Sequence, residues 1–251
     1  MLREPTVFGP IKTRRLGYSL GINLLPTQGK LCNFDCIYCE CGWNADGRGD
    51  KVIPNAAQVR AALEDKLSQC LLDGVEMDSI TFAGDGEPTL NPDFPQIVED
   101  TIRLRDIFYP KAKVSVLTNA TRLDDEKVFN ALRLVDNPIL KLDAPTGELA
   151  RKVNNPTFDY DVNRVVENME RFRGDFILQT MFLKGAGYDS ASPEVMEGWM
   201  SIVRRLKPRL VMAYSLDRPA PQEGLVKFTE TEIRNLVQPL LDEGFNIQIR
   251  A

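Results

Sequence analysis

Hydrophobic and polar positions along the 251-residue chain follow two rhythms, a period of two and a period near 3.6, and the rhythms take turns. Leu20-Gly21-Ile22-Asn23-Leu24-Leu25 reads as a first strand. A long loop bearing cysteine and glycine then runs to Pro54-Asn55, a pair that opens helices. Val59, Leu63, Leu67, Cys70 and Leu71 recur at helical spacing, which predicts an amphipathic helix ending near Asp73-Gly74. Further strands are predicted at Ser79 to Phe82, 113–118, Ile139 to Asp143, 176–182, 209–215 and Phe245 to Ile249. Helices are predicted at 94–108, 124–134, 160–172, 193–206 and 229–242.

Strands separated by helices imply parallel pairing through right-handed crossovers, hence an α/β fold, either a doubly wound sheet or a (β/α) barrel. In both, chemistry gathers at the C-terminal ends of the strands. No internal repeat, low-complexity tract or linker interrupts the pattern, so residues 1–251 are expected to form one domain with a cysteine loop at 26–53.

Composition narrows the choices. With 43% hydrophobic and 27% charged residues the chain can bury a core. No apolar run approaches the roughly 20 residues of a bilayer span. Met1-Leu2-Arg3-Glu4-Pro5 does not open a secretory signal, so a cytoplasmic protein with no membrane partner is expected. The chain has no histidine, which excludes Ser-His-Asp and Cys-His triads, His-ligated zinc hydrolase sites and haem on a proximal His. Lys+Arg 31 against Asp+Glu 36 leaves a net charge of -5, which disfavours wholesale polyanion binding. A local basic excess remains near the start, where Arg3, Lys12, Arg14, Arg15 and Lys30 face a single Glu4.

Directly after the first strand stands Lys30-Leu31-Cys32-Asn33-Phe34-Asp35-Cys36-Ile37-Tyr38-Cys39-Glu40-Cys41. Thiols this dense in a reducing compartment ligate metal. Cys32, Cys36 and Cys39 can hold three irons of a 4Fe-4S cluster and leave the fourth iron open to a substrate or cofactor. The competing reading is structural zinc on Cys32, Cys36, Cys39 and Cys41, a spacing cramped for a tetrahedral site, in a non-catalytic binding protein. Cys41 reads as a bystander and Cys70 as an inert core thiol.

The spacing Cys32-x3-Cys36-x2-Cys39, with Tyr38 as the aromatic before the third cysteine, resembles the signature of the radical S-adenosylmethionine superfamily. The stretch Phe8 to Gly21, with Gly84-Asp85-Gly86-Glu87-Pro88-Thr89-Leu90, is similar to the subgroup related to wyosine-base (tRNA) synthases. No cysteine precedes Cys32, whereas wyosine-base synthases carry extra N-terminal thiols for a second cluster, so the specific reaction does not carry over. The resemblance implies a partial (β/α)6 barrel of parallel strands with helices outside. Its implied cofactors are a 4Fe-4S cluster and S-adenosylmethionine.

Position by position, the resemblance assigns Cys32, Cys36 and Cys39 to the cluster and Tyr38 to the neighbourhood of the adenine. Gly84, Asp85, Gly86 and Glu87 match a Gly-Gly-Glu type of turn that would receive the methionine ammonium group, with Asp85 departing from the simplest pattern. Thr118 and Asn119 would bind the carboxylate or ribose, with a helix-entry cap on Thr121 as the alternative. Asp143 would accept from ribose hydroxyls. Lys141 lies two positions before Asp143 and therefore on its side of a strand, as a candidate catalytic residue for a substrate carboxylate or a Schiff base. An internal Lys141–Asp143 ion pair is the alternative. Arg218 is a second candidate at the mouth, and Arg14 and Arg15 are weaker anion readers or solvated charges.

The expected activity is reductive cleavage of S-adenosylmethionine to a 5′-deoxyadenosyl radical that takes hydrogen from a substrate. A tRNA base is one candidate substrate, and a partner protein or peptide acted on by an activase is the other. A reducing donor such as flavodoxin or ferredoxin is implied.

Overall fold

The computed structural model describes residues 6–13, 15–46 and 52–251. Arg3, Glu4 and Arg14 lie outside the described residues. The chain groups into two compact units: Met1–Cys32, Asn44–Thr118 and Arg122–Pro138 form the first, and Asn33–Trp43, Asn119–Thr121 and Ile139–Ala251 the second. No helix among the described residues is long and apolar enough to cross a membrane.

The first unit carries strands β1 (Val7–Thr13), β2 (Gly17–Ile22), β3 (Ser79–Phe82) and β4 (Lys113–Thr118), with helices α1 (Ala56–Leu72), α2 (Phe94–Phe108) and α3 (Glu126–Leu134). β1 pairs antiparallel with β2, and β2, β3 and β4 run parallel in that order. β2 occupies 17–22 rather than the expected 20–25, because Asn23 and Leu25 are drawn into the turn that follows: the Leu25 N–H donates to Asn23 Oδ1 at 3.2 Å. β1 has no counterpart in the sequence reading. Its register shifts between Phe8 and Ile11, across Gly9-Pro10, and such a break is tolerated only at a sheet edge.

α1 starts at a full capping box, in which Asn55 accepts from the Gln58 N–H and the Gln58 side chain returns to the Asn55 N–H. Val59, Leu63, Leu67 and Cys70 are buried as predicted. Leu71 is not: it is 52% exposed, since it falls about 100° around the helix from Cys70. On one face of the sheet a buried hydroxyl ladder joins Ser19 to Thr81 at 2.7 Å, Thr81 to Ser79 at 3.0 Å and Ser79 to Ser115 at 3.0 Å. Each hydroxyl satisfies the next, so the strip is polar at little desolvation cost.

The second unit holds most of β5 (Asn137–Lys141), then α4 (Gly147–Val153), α5 (Val162–Glu170), β6 (Ile177–Gly185), β7 (Tyr188–Asp189), α6 (Pro193–Leu206), β8 (Leu210–Ser215), β9 (Val226–Lys227), α7 (Glu230–Asp242) and β10 (Ile247–Arg250). β5, β6, β8 and β10 are parallel neighbours in that order. The short β7 and β9 pair antiparallel with the end of β6. Thr180 marks the face of β6 that α6 covers, since Trp199 of α6 donates Nε1–H to Thr180 Oγ1 at 3.0 Å and meets Phe182 edge to face at 5.6 Å. Trp199 is fully buried, so truncating it would cost roughly 3–5 kcal/mol. Gln179 and Met181 therefore project from the opposite face.

Candidate functional site

In the first unit, the chain just before Cys32 is laced to the turn after β3. Leu31 N–H donates to the Asp85 carbonyl at 2.9 Å, and Glu87 N–H donates to the Leu31 carbonyl at 3.0 Å. Only glycine fits between these bonds: Gly86 has φ +142°, and a Cβ there would stand 1.8 Å from the Leu31 carbonyl oxygen. Gly84 has a related constraint, since a Cβ would meet Asn23 Oδ1 at 2.1 Å. Asn23 in turn clamps the fully buried Asp85, donating to its Oδ2 and accepting from its N–H, both at 3.1 Å. Lys30 is also buried, next in the chain to Leu31.

Glu87 is 2% exposed, and its Oε1 accepts from Thr89 N–H, Thr89 Oγ1–H at 2.6 Å and Thr118 Oγ1–H at 2.7 Å. The structure thus brings Glu87 and Thr118 together, with the carboxylate oriented by the hydroxyls. Cys32 is half-buried, and its carbonyl accepts from Asn44 Nδ2 at 3.1 Å.

In the second unit, Cys36 and Cys39 share one turn, the Cys39 N–H donating to the Cys36 carbonyl at 3.1 Å. None of the five cysteines is in a disulfide. Burial, and then the Asp143 carboxylate, push the Cys36 thiol up to about 11. Asn154, which caps the end of α4, points its Nδ2 at Cys36 Sγ from 3.5 Å and donates to Asp143 Oδ2 at 2.6 Å. An amide aimed at a sulfur is the outer contact that steadies a metal-bound thiolate.

Asp143 is the centre of this arrangement. Its Oδ2 also accepts from the Tyr38 hydroxyl, its Oδ1 accepts from Met181 N–H at 2.9 Å, and its backbone carbonyl accepts from the Tyr188 hydroxyl at 2.6 Å. Asp143 lies beyond the end of β5 rather than within a strand. Lys141, the last residue of β5, sits 3.3 Å from Asp143 Oδ1 and donates to the Tyr214 hydroxyl at 2.7 Å, with its ammonium 5.0 Å from the ring centres of Tyr38 and Tyr214. Burial works against the Lys141 charge, but the Asp143 carboxylate and Tyr214 outweigh it and hold the ammonium above the ordinary lysine range. Burial and Asp143 raise the Tyr38 hydroxyl well above its usual value, so it stays a hydrogen-bond donor.

Asn119 is engaged at the start of the next turn. Its Oδ1 accepts from Thr121 N–H and Oγ1–H, and its Nδ2 donates to Asn33 Oδ1 at 2.6 Å, a local Asn turn braced by the cysteine loop; it is not the helix-entry cap considered as the alternative, because α3 starts at Glu126 and is capped by Asp125. Arg218 is largely exposed and pairs with Glu40 at 2.9 Å, beside Cys39 and Cys41. Sequence reasoning missed Asn154, Tyr214 and Tyr188, which no linear motif marks. Among the described residues no three Cys, Asp or Glu side chains are gathered closely enough to hold a metal ion as they stand. The donor set nevertheless suits an iron–sulfur cluster, because it combines cysteines outside any disulfide on one loop with an amide directed at Sγ.

Residues 28–185 match the Radical SAM superfamily. A protein named GTPase Obg of Brachyspira hyodysenteriae is 30% identical over 92% of this chain, and the chain spans 33% of its length. A UPF0026 protein of Methanocaldococcus jannaschii is 29% identical over 94% of this chain and is covered to 71%. Among solved structures, a radical SAM methyltransferase from Sphaerobacter thermophilus superposes with a TM-score of 0.68 at 16% identity, over 92% of this chain and 65% of its own. Streptococcus suis SuiB bound to S-adenosylmethionine gives 0.64 at 17% identity, over 92% and 50%. At such identity the likeness is one of fold, and it bears out the α/β class read from the sequence.

Proposed function

The chain belongs to the radical S-adenosylmethionine superfamily and is an enzyme of it; from that premise we propose that it binds S-adenosylmethionine at a 4Fe-4S cluster and abstracts hydrogen from a peptide or protein segment. Cys32, Cys36 and Cys39 would hold the cluster. Held there and reduced by an external donor, the cluster would supply the one-electron chemistry that cleaves S-adenosylmethionine to a hydrogen-abstracting 5′-deoxyadenosyl radical.

The remaining work belongs to the chain's own side chains. Asn154 orients the Cys36 sulfur and the Asp143 carboxylate together. Asp143 offers a fixed acceptor to ribose hydroxyls, and Tyr38 presents its ring beside it, held by its hydroxyl. The Gly84–Pro88 turn with Glu87 receives an ammonium group, and Thr118 keeps that carboxylate in place. Lys141 stays charged and supplies the cation for a carboxylate. Thr118 and Asn119 are the proposed contacts to the carboxylate or ribose of the cosubstrate.

The observation that carries this reading is the Cys36–Asn154–Asp143–Tyr38 chain of contacts, which couples a cluster cysteine to the acceptor proposed for the ribose. A peptide is favoured over a tRNA base because the net charge of -5 gives no general attraction to a polyanion. Two neighbours in fold point the same way: SuiB has been solved with the precursor peptide SuiA, and anSMEcpe with AdoMet and the Cp18Cys peptide. The chain spans 48% and 62% of those proteins. The test is anaerobic reconstitution with dithionite or reduced flavodoxin, followed by assay of 5′-deoxyadenosine with either tryptic peptides or total tRNA. Stimulation by peptides is expected, and stimulation by tRNA alone would overturn the choice of substrate.

A further inference from the structure

One row of buried and half-buried side chains, on the face of the second unit's sheet turned away from α6, is left chemically unfinished. Lys141, Gln179, Met212 and Gln248 are register partners on β5, β6, β8 and β10, so their side chains stand in line on one face. It is the face opposite Thr180 and the Trp199 of α6 that covers it. Gln179 is 5% exposed, and its Nε2 is buried without a hydrogen-bond partner. On the far side of Met212, the Oε1 of Gln248 is likewise shielded and without a partner. Buried polar atoms are almost always satisfied, and each failure costs stability that folding alone does not recover.

These two orphans are complementary. One is a donor and the other an acceptor, and two strand spacings of about 4.8 Å separate their backbones. A trans amide accepts on one side and donates on the other, so it satisfies both when laid across Met212. Met212 and, one row on, Met181 are buried, and their flexible thioether side chains can shift to admit such a group. Lys141, at the end of the row, adds a positive charge toward the strand ends, where Tyr214 and Asp143 hold it.

We infer that this row is a substrate platform, on which Gln179 and Gln248 bracket a neutral amide group of the peptide substrate and Lys141 sets its polar end. The inference rests on the proposed peptide-directed function and deepens it by assigning the residues that read the substrate. Gln179 and Gln248 are specificity-determining residues and take no part in bond making.

The test is a thermal shift on the full-length reconstituted protein under anaerobic conditions, with N-acetylalanine methylamide, uridine and sodium acetate as probes. The platform predicts a saturable rise with the methylamide, about 3 °C at ten times Kd; a rise with acetate reports Lys141 and should be the same in the parent and in the glutamine variants. Gln179→Met and Gln248→Met should each abolish the methylamide rise while their own midpoints equal or exceed the parent's, since each removes an unsatisfied buried polar atom. Lower midpoints would mean that the glutamines serve the fold and would overturn the assignment. A rise with uridine at lower concentration than with the methylamide would also overturn it, in favour of a nucleobase. None of these readings depends on turnover, so loss of 5′-deoxyadenosine formation, the failure of the proposed function, remains a separate outcome.

Discussion

The Lys141 ammonium lies 3.3 Å from Asp143 Oδ1, the two residues forming a buried ion pair two positions apart at the end of β5. Asp143 has further donors in Asn154, Tyr38 and the Met181 N–H, whereas Lys141 leans on Asp143 and the Tyr214 hydroxyl. Removing the cation leaves a buried carboxylate undercompensated, which costs about 3 kcal/mol in typical cases. Lys141→Met should therefore lower the denaturation midpoint strongly, and adding Asp143→Asn should cost much less than the sum of the two single changes. Additive losses would show that the pair is not coupled.

Asn154 touches both Cys36 Sγ and Asp143. Asn154→Ala is expected to weaken cluster retention by about 10- to 100-fold, as for other outer contacts to metal ligands. Visible absorbance of the reconstituted protein during chelator challenge reads this directly. Retention equal to the parent's would remove Asn154 from the site.

Two glycines at positive φ separate strain from collision. Gly74 has φ +67°, and a Cβ added there would meet nothing within 4 Å, so Gly74→Ala should cost about 1 kcal/mol. Gly86→Ala adds a 1.8 Å clash with the Leu31 carbonyl and should cost more than about 3 kcal/mol, because the bonds from Leu31 to Asp85 and Glu87 must part. Equal midpoints for the two variants would contradict this reading of the turn.

Asp136 ties α2 to β4, accepting from Arg105 Nη1 at 2.8 Å, Lys113 Nζ at 3.0 Å and Val114 N–H at 2.9 Å. Burial opposes its charge, but the Val114 N–H and the two cations win and hold the carboxyl below its ordinary value. A depressed folded value means stability that is fully present at neutral pH and is lost as pH falls below about 4, through the folded value. Asp136→Asn should cost about 2 kcal/mol at pH 7. The gap from the parent should close progressively in acid, and a gap independent of pH would exclude the electrostatic account.

The sequence carried the regular elements further than the site. β4, α2 and α6 fall at the predicted bounds because Lys113–Thr118 is β-branched and bounded, while Pro at the start of both helices fixes their first turns. β1 escaped because Gly9-Pro10 sits inside it, and α4 because two turns with three buried residues give too little periodicity to read. Cys32, Cys36, Cys39, Tyr38 and Glu87, the proposed cofactor contacts, stand in short linear motifs. Asn154 meets Cys36 across 118 positions, and Gln179 matters only through its register with Met212, so neither leaves a local pattern.

The proposed function requires Cys32, Cys36 and Cys39 to hold a cluster with one open iron at which S-adenosylmethionine is cleaved. The most direct test is parallel measurement of iron, sulfide and 5′-deoxyadenosine in anaerobically reconstituted parent and Cys36→Ala protein. About four irons and four sulfides per chain are expected in the parent, with 5′-deoxyadenosine formed on reduction, and loss of both in the variant. A colourless zinc-bearing parent, or cleavage undiminished in Cys36→Ala, would contradict it.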